Sequence, residues 1–389
     1  MNINILKSAL LVLSVAVISS CNTEDPLTGI TQTLDCDYFS QDRVLVDDPD
    51  AAIDYLITCD MAVNADITIM PGVTIAFATD AGIVIRETGS FKAEGTATQP
   101  ITFTGQDAVK GSWRGVIVYS NDPKNIFDHC VIEHAGGIAH NSNGDRGAFI
   151  VWAEGRLSLT NSIIRQSASH GFNANYSDAT LELGGNTITE NDGAPLYIVY
   201  NYVDVPSSSD SYLGNAITRI LVKSRGRTIK QSKTWRKVNV DYQVTEATSV
   251  TVSENGVLTI EPGISIYFDA GCQIHVNDQA ALSAQGTEAQ PISFKGTTAV
   301  NGSWIGLDFG FTDNALNSLQ YVTIENAGGS GAEGAIYMWA QPKLTVQNST
   351  IRNSGSCGFF AAATGDENIN LTTNAVVFEN NTGADYCID

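Results

Sequence analysis

Histidines, carboxylates and one arginine come first, because these side chains could do acid–base or metal chemistry here. Four of the five histidines, His129, His134, His140 and His170, fall within 42 residues. Neutral imidazole is a good zinc or copper ligand. None of the four stands at a zinc spacing such as H-E-x-x-H, so no metal centre is expected. The spacing of one coil could bring His134 or His140 near His170, and for acid–base work the candidates are His129, Glu133 and Arg165. The same Glu and Arg recur as Glu325 and Arg352. That recurrence reads more simply as outward ion pairs between neighbouring coils, which are worth little energetically. The loop from Asn141 to Gly147 places Asn141, Asn143 and Asp145 at alternate positions, an oxygen pattern that calcium accepts. It lacks a bidentate Glu and most of the charge, so an Asn/Gly turn is the simpler reading. No G-x-S-x-G, P-loop or dinucleotide fingerprint is present.

Residues suited to ligand contact are more numerous. Trp152 and Trp339 occupy matching positions in FIVWAEG and IYMWAQP, as do Trp113 and Trp304 in two G-S-W-x-G motifs. Tyr200 belongs to a group with Tyr197, Tyr202 and Tyr212. Exposed rings of this kind can stack on the C–H face of a sugar; packing under a loop at a coil corner is the alternative. Eight of the 21 cations lie between Arg219 and Lys237, and no acid stands between Asp210 and Asp241. Arg225, Arg227, Lys230 and Lys233 are therefore candidates for gripping an anionic polysaccharide or an acidic surface on another copy. The alternative is a solvated outer face balanced by carboxylates on neighbouring coils.

These residues are positioned by a repeat. Pro71–Ile117 and Pro262–Asp308 align without a gap at a shift of 191, with 19 of 47 positions identical. Most of the shared residues are turn formers or large apolar residues, which argues for a shared backbone path. A finer pattern of β-branched pairs followed by polar and small residues recurs in DHCVIEHAG, NSIIRQSAS and GNTITENDG, then in QYVTIENAG, NSTIRNSGS and AVVFENNTG. A period of about 20–30 residues with β-branched runs and Asn/Gly turns is the signature of a parallel β-helix. Asn-Gly hairpin turns, which a pair of β-sandwiches would need, are largely missing. The expectation is an all-β solenoid of two tandem homologous halves, residues 46–197 and 239–389, joined by a basic connecting segment, 198–238. Roughly 12–14 coils at about 4.8 Å would give a rod of roughly 60 Å.

The motifs TIEPG (Thr259–Gly263), GT-x-x-QPI-x-F, G-S-W-x-G and V-x-I-E-x-A-G-G resemble those of a family of exported bacterial lipoproteins. That resemblance covers both halves but not the middle segment. It implies a right-handed parallel β-helix related in shape to pectate lyases, acting in glycan binding or surface interaction. Asp128-His129-Cys130 is similar to a motif near the active groove of pectate lyases, which hold calcium on acidic residues and use an arginine as base. A clustered set of Asp beside an Arg is missing here.

The N-terminus supplies an address. Residues 1–20 carry one cation, Lys7, then an apolar run from Ala9 to Ile18, the pattern of a secretion signal. Ile18-Ser19-Ser20-Cys21 resembles a lipobox, which implies cleavage before Cys21 and lipid on its thiol. Residues 21–45 read as a tether and N-terminal cap. With Glu24 and Asp25 behind the lipidated cysteine, the expected location is the outer membrane or cell surface of a Gram-negative bacterium. The formal net charge of −21 disfavours nucleic acid as a partner. Six cysteines remain after Cys21, and six allow fifteen pairings. Cys36 and Cys59 flank the start of the folded region and Cys357 and Cys387 its end, where a solenoid frays, so these are the disulfide candidates; Cys130 and Cys272 read as buried thiols. Taken together, the sequence reads as a lipid-anchored, non-catalytic envelope protein that binds glycan or a surface protein. The alternatives are a polysaccharide lyase or hydrolase and a structural spacer. The oligomeric state is left open.

Overall fold

The computed structural model describes residues 30–176, 178–224, 226–362 and 370–388; Cys21 and Arg225 lie outside them. The described chain is all-β, with 36 strands, two single 3-10 turns and no α-helix. Strand pairs run parallel throughout and stack into ladders, an arrangement compatible with a parallel β-helix. Three ladders carry the first part of the chain. The first contains Thr74–Phe77, Ile101–Gly105, Cys130–Glu133, Ile163–Arg165 and Thr187–Thr189; the second Gly82–Ile85, Gly115–Val118, Phe149–Val151, Phe172–Ala174 and Leu196–Val199; the third Asp66–Ile69, Ser90–Glu94, Ile126–Asp128, Arg156–Thr160 and Thr180–Gly184. Each coil visits the three in that order.

The strands are short because apolar and polar residues alternate over only a few positions before a turn residue intervenes. Val257–Ile260 and Ser265–Phe268, for example, alternate half-exposed with buried positions along their length. Inward side chains from successive coils form one continuous core. Trp113 stacks on Phe77 at 4.0 Å between ring centroids, and Trp304 on Phe268 at 4.2 Å. Each indole N–H donates to a main-chain carbonyl in the following coil, that of Glu133 at 2.8 Å and of Glu325 at 2.9 Å. The repeated tryptophans are thus internal pillars, and burying each aromatic contributes roughly 1.5–3 kcal/mol. At the turns, buried Asn side chains replace strand hydrogen bonds. Asn191 Oδ1 accepts from Ser167 N, and Asn215 Oδ1 accepts from Asn191 N, each 24 residues away along the chain. This is the Asn ladder that the sequence pattern implies.

The second ladder runs on without a break through the connecting segment, by Arg219–Lys223 and Asp241–Val244 to Ser265–Phe268, Ile292–Gly296 and Val322–Glu325. Ser265–Phe268 is the sequence counterpart of Thr74–Phe77, which lies in the first ladder. The repeat therefore advances by one face across residues 198–238. A fourth ladder, of Ser249–Val252, Gln273–Asn277, Gly306–Gly310, Gly334–Trp339 and Cys357–Ala362, holds the counterparts of the first part's second ladder. Equivalent residues such as Trp152 and Trp339 consequently belong to different faces. Disulfides join Cys36 to Cys59 and Cys357 to Cys387, and Cys130 and Cys272 are free and buried.

Candidate functional site

Across the two repeats the inward positions are kept and the outward ones diverge, so the outer faces are where a function specific to either half can reside. In the first part's second ladder, Val84, Ile117 and Ile150 point outward and form a small apolar cluster, separate from the core, with Tyr119 and Trp152 against it. Trp152 is half-buried and lies against Tyr176 with ring centroids 3.7 Å apart. In the fourth ladder the same outward row reads Thr251, His275, Asp308, Tyr337 and Phe360, set side by side by the strand register. His275 Nδ1 lies 2.8 Å from Asp308 Oδ2. The hydrogen bond to Asp308 raises the His275 pKa above the ordinary imidazole value, against the opposing effect of burial. Tyr337 and Phe360 stack nearly parallel at 5.6 Å.

A second row lies beside it, with Asn277, Gly310 and Trp339 in register. Gly310 leaves the strip flat next to the half-exposed indole; a Cβ there would sit 3.3 Å from Asn277 Oδ1. That oxygen is buried and has no hydrogen-bond partner among the described residues. A buried acceptor without a donor is costly and calls for an explanation. At the end of the strip Phe311 is 61% exposed. Its backbone is left-handed, φ +54°, a conformation uncommon for a bulky side chain. Its N–H donates to Trp339 O at 3.2 Å, which ties the two exposed aromatics to adjacent strand ends. Next to the strip, Gln273, Asp308, Glu333 and Tyr337 line a cavity of about 300 Å³.

The residues singled out from sequence are placed as follows. Glu133 and Arg165 do meet, with Arg165 Nε and Nη2 donating to Glu133 Oε2 at 2.8 and 2.6 Å. Glu325 and Arg352 repeat the contact at 3.0 Å. His129 turns instead to Asp128, Nδ1 to Oδ2 2.9 Å. Burial raises the Asp128 pKa, but hydrogen bonds from Thr160, Asn161 and His129 outweigh it and hold the carboxyl below its usual range. His129, Glu133 and Arg165 are thus distributed over two separate contacts. Tyr200, expected as a ligand platform, is buried in the core at 1% exposure, because the chain turns inward at the 3-10 turn Tyr200–Tyr202. Arg227 pairs with Asp178, Lys230 with Glu254 at 2.6 Å and Lys233 with Asp204 at 2.9 Å. Carboxylates from neighbouring coils therefore neutralise the basic segment at these positions. Around Asp145, Asn141 and Asn175 turn their amide N–H groups toward its carboxylate, at 2.9 and 2.7 Å. Hydrogens thus face the oxygens that calcium would take. Among the described residues no group of three or more His, Cys, Asp or Glu could hold a metal ion.

His275, Asp308, Phe311, Glu333 and Tyr337 escaped the sequence reading. The signal was present in the alignment, where Val84 faces His275 and Ile117 faces Asp308. An exchange from apolar to ionisable inside two otherwise matched strands marks a position released from packing.

No family model matches the chain, and no curated protein matches it. It is similar to a solved structure described as the crystal structure of Agl-KA catalytic domain, at 14% identity and a TM-score of 0.26, over 86% of this chain and 62% of that one. The chain thus spans less than two thirds of that chain's length, and a likeness at this score carries no argument about chemistry.

Proposed function

We propose that the protein is a lipid-anchored, non-catalytic right-handed parallel β-helix of the cell envelope that binds glycan on the outer face of its fourth ladder. In this reading residues 1–20 are removed, Cys21 carries the lipid, residues 21–45 supply a tether and an N-terminal cap, the latter built on strands Ile30–Leu34 and Arg43–Leu45, and 46–197 and 239–389 are two tandem halves joined by 198–238. The outer membrane or cell surface of a Gram-negative bacterium is the location that fits, and two disulfides suit an oxidising compartment.

The observation that carries the binding reading is the fourth ladder's strip. Trp339 and Phe311 offer apolar ring faces to sugar C–H groups, while the partly exposed His275 and Asp308 in the adjoining row offer polar groups to sugar hydroxyls. Ligand sites combine apolar surface with a few fixed polar groups in this way. Asp308, Glu333 and the overall charge of −21 favour neutral glycans over polyanions. A glycan array probed with the mature chain tests it. Neutral glycans should be retained, and Trp339→Ala should weaken retention at least tenfold while leaving the melting temperature within a few degrees. Retention of polyanions alone, or no effect of the variant, would count against this face.

A second reading is favoured by one observation, that Asp308 and Glu333 line one cavity beside His275. Paired carboxylates serve glycosidic hydrolysis. Release of reducing ends from a glycan the protein retains would move the reading from binding to catalysis.

A further inference from the structure

We propose that the protein carries a second sugar site, for a single neutral polyhydroxylated ring, in the cleft that residues 138–146 form over the second ladder. This site shares no residue with the aromatic strip and stands on separate observations. Residues 138–146 form a loop of nine, where the second half has only the four residues 330–333. The loop is held compactly: Asn141 Oδ1 accepts from Asn143 N at 3.1 Å and Asp145 N at 3.3 Å, and Gly144 N donates to Asn141 O. It walls a cavity of about 260 Å³ whose far side is made by His170, Tyr197, Lys223 and Glu246. That volume falls just below the roughly 300–1,000 Å³ typical of drug-sized ligands, so it suits one ring rather than a chain.

The floor is polar yet buried. Asp145, Asn173, Asn175 and Lys223 are each 6% exposed or less. Asn175 Nδ2 donates to Asp145 Oδ1 at 2.7 Å, Asn173 Nδ2 to Arg146 O at 3.0 Å, and Lys223 Nζ lies 3.2 Å from Glu246 Oε1. Tyr197 OH donates to Glu246 as well, and the Lys223 ammonium sits 4.6 Å from the centre of the Tyr197 ring. His170 accepts from Ala194 N through Nδ1 at 3.0 Å, which leaves its proton on Nε2. Burial and then the Lys223 charge push its pKa down to about 4, so the ring is neutral at pH 7.

The charges select the ligand class. Two cations, Arg146 and Lys223, face two anions, Asp145 and Glu246, and His170 adds none, so the lining sums to zero. An anionic ligand would meet two carboxylates and a cationic one two cations. A sugar hydroxyl both donates and accepts, and vicinal hydroxyls match the adjacent donor and acceptor of Asn175 with Asp145 and of Lys223 with Glu246. Stacking is not the grip here, because His170 and Lys223 cover the Tyr197 ring.

Titration calorimetry of the full mature chain with the methyl glycosides of glucose, galactose and mannose, and with glucuronate, tests the site. At least one neutral glycoside should bind saturably, with glucuronate at least tenfold weaker. Glu246→Gln and Tyr197→Phe should each weaken that binding at least tenfold. Replacing 138–146 by the Ser-Gly-Ala-Glu of 330–333 should abolish it. Should the loop replacement fail to fold, Tyr197→Phe, which removes one hydroxyl, still decides. No saturable binding by any neutral glycoside, or preference for glucuronate, overturns the proposal. Binding lost with Trp339→Ala but kept in Tyr197→Phe and Glu246→Gln would assign the sugar to the aromatic strip and overturn the cleft site.

Discussion

A histidine that meets a carboxylate across one strand gap behaves differently from one buried alone, and this protein has both. His275 is held by Asp308 with a raised pKa, whereas His140 and His170 are pushed down to about 4, chiefly by burial. For His275 the stabilisation is fully present below the unfolded value of about 6.5 and is lost as pH rises through the higher folded value. The gap in melting temperature between the parent and His275→Gln should therefore be widest near pH 6 and shrink toward pH 8. A gap that is constant or grows with pH would show that Asp308 does not hold the imidazolium. His140 and His170 act with the opposite sign, and taking the difference between parent and variant removes them from the comparison. Cys130 and Cys272 were legible as buried thiols because the first opens, and the second directly precedes, an alternating apolar strand; burial raises both, Cys272 to about 11. His275 and Asp308 were not legible as a pair, because 33 residues separate them and only the register brings them together.

Strands and turns were the most legible level. Alternation and turn residues placed the strands around Val73, Ile83, Ile101 and Val116, and the structure puts strands there. Two glycines test that account. Gly115 and Gly306 have φ of +108° and +128°, and a Cβ would lie 2.6 Å from Ala148 O and 2.4 Å from Ala335 O. Gly115→Val and Gly306→Val should each destabilise by more than about 1 kcal/mol, since strain and clash act together. Thermal unfolding within about a degree of the parent for both would mean that the backbone tolerates a side chain there. The basic segment was the least legible element, for a reason tied to the parallel stacking of strands. Its partners Asp178, Asp204, Glu246 and Glu254 lie outside a thirty-residue window yet one or two coils away in space. In a coil repeat of about 24 residues, the nearest carboxylate in space is rarely the nearest in sequence.

At the scale of the molecule, the two repeats conserve an interior and vary an exterior. The repeat advances by one face at the connecting segment, so the apolar patch around Ile117 and the polar strip around Asp308 face different directions although they occupy equivalent strands. A single ligand strip running through both halves is therefore not built, and the proposed aromatic strip belongs to the second half, apart from the cleft under residues 138–146. Amide hydrogen exchange on the full mature chain, with and without a neutral glycan chosen from the array, tests this most directly. The account predicts slowed exchange at residues 306–311 and 334–340, around Asp308, Phe311, Tyr337 and Trp339. Slowing confined to residues 219–237, or no change along the fourth ladder despite saturating glycan, would contradict it.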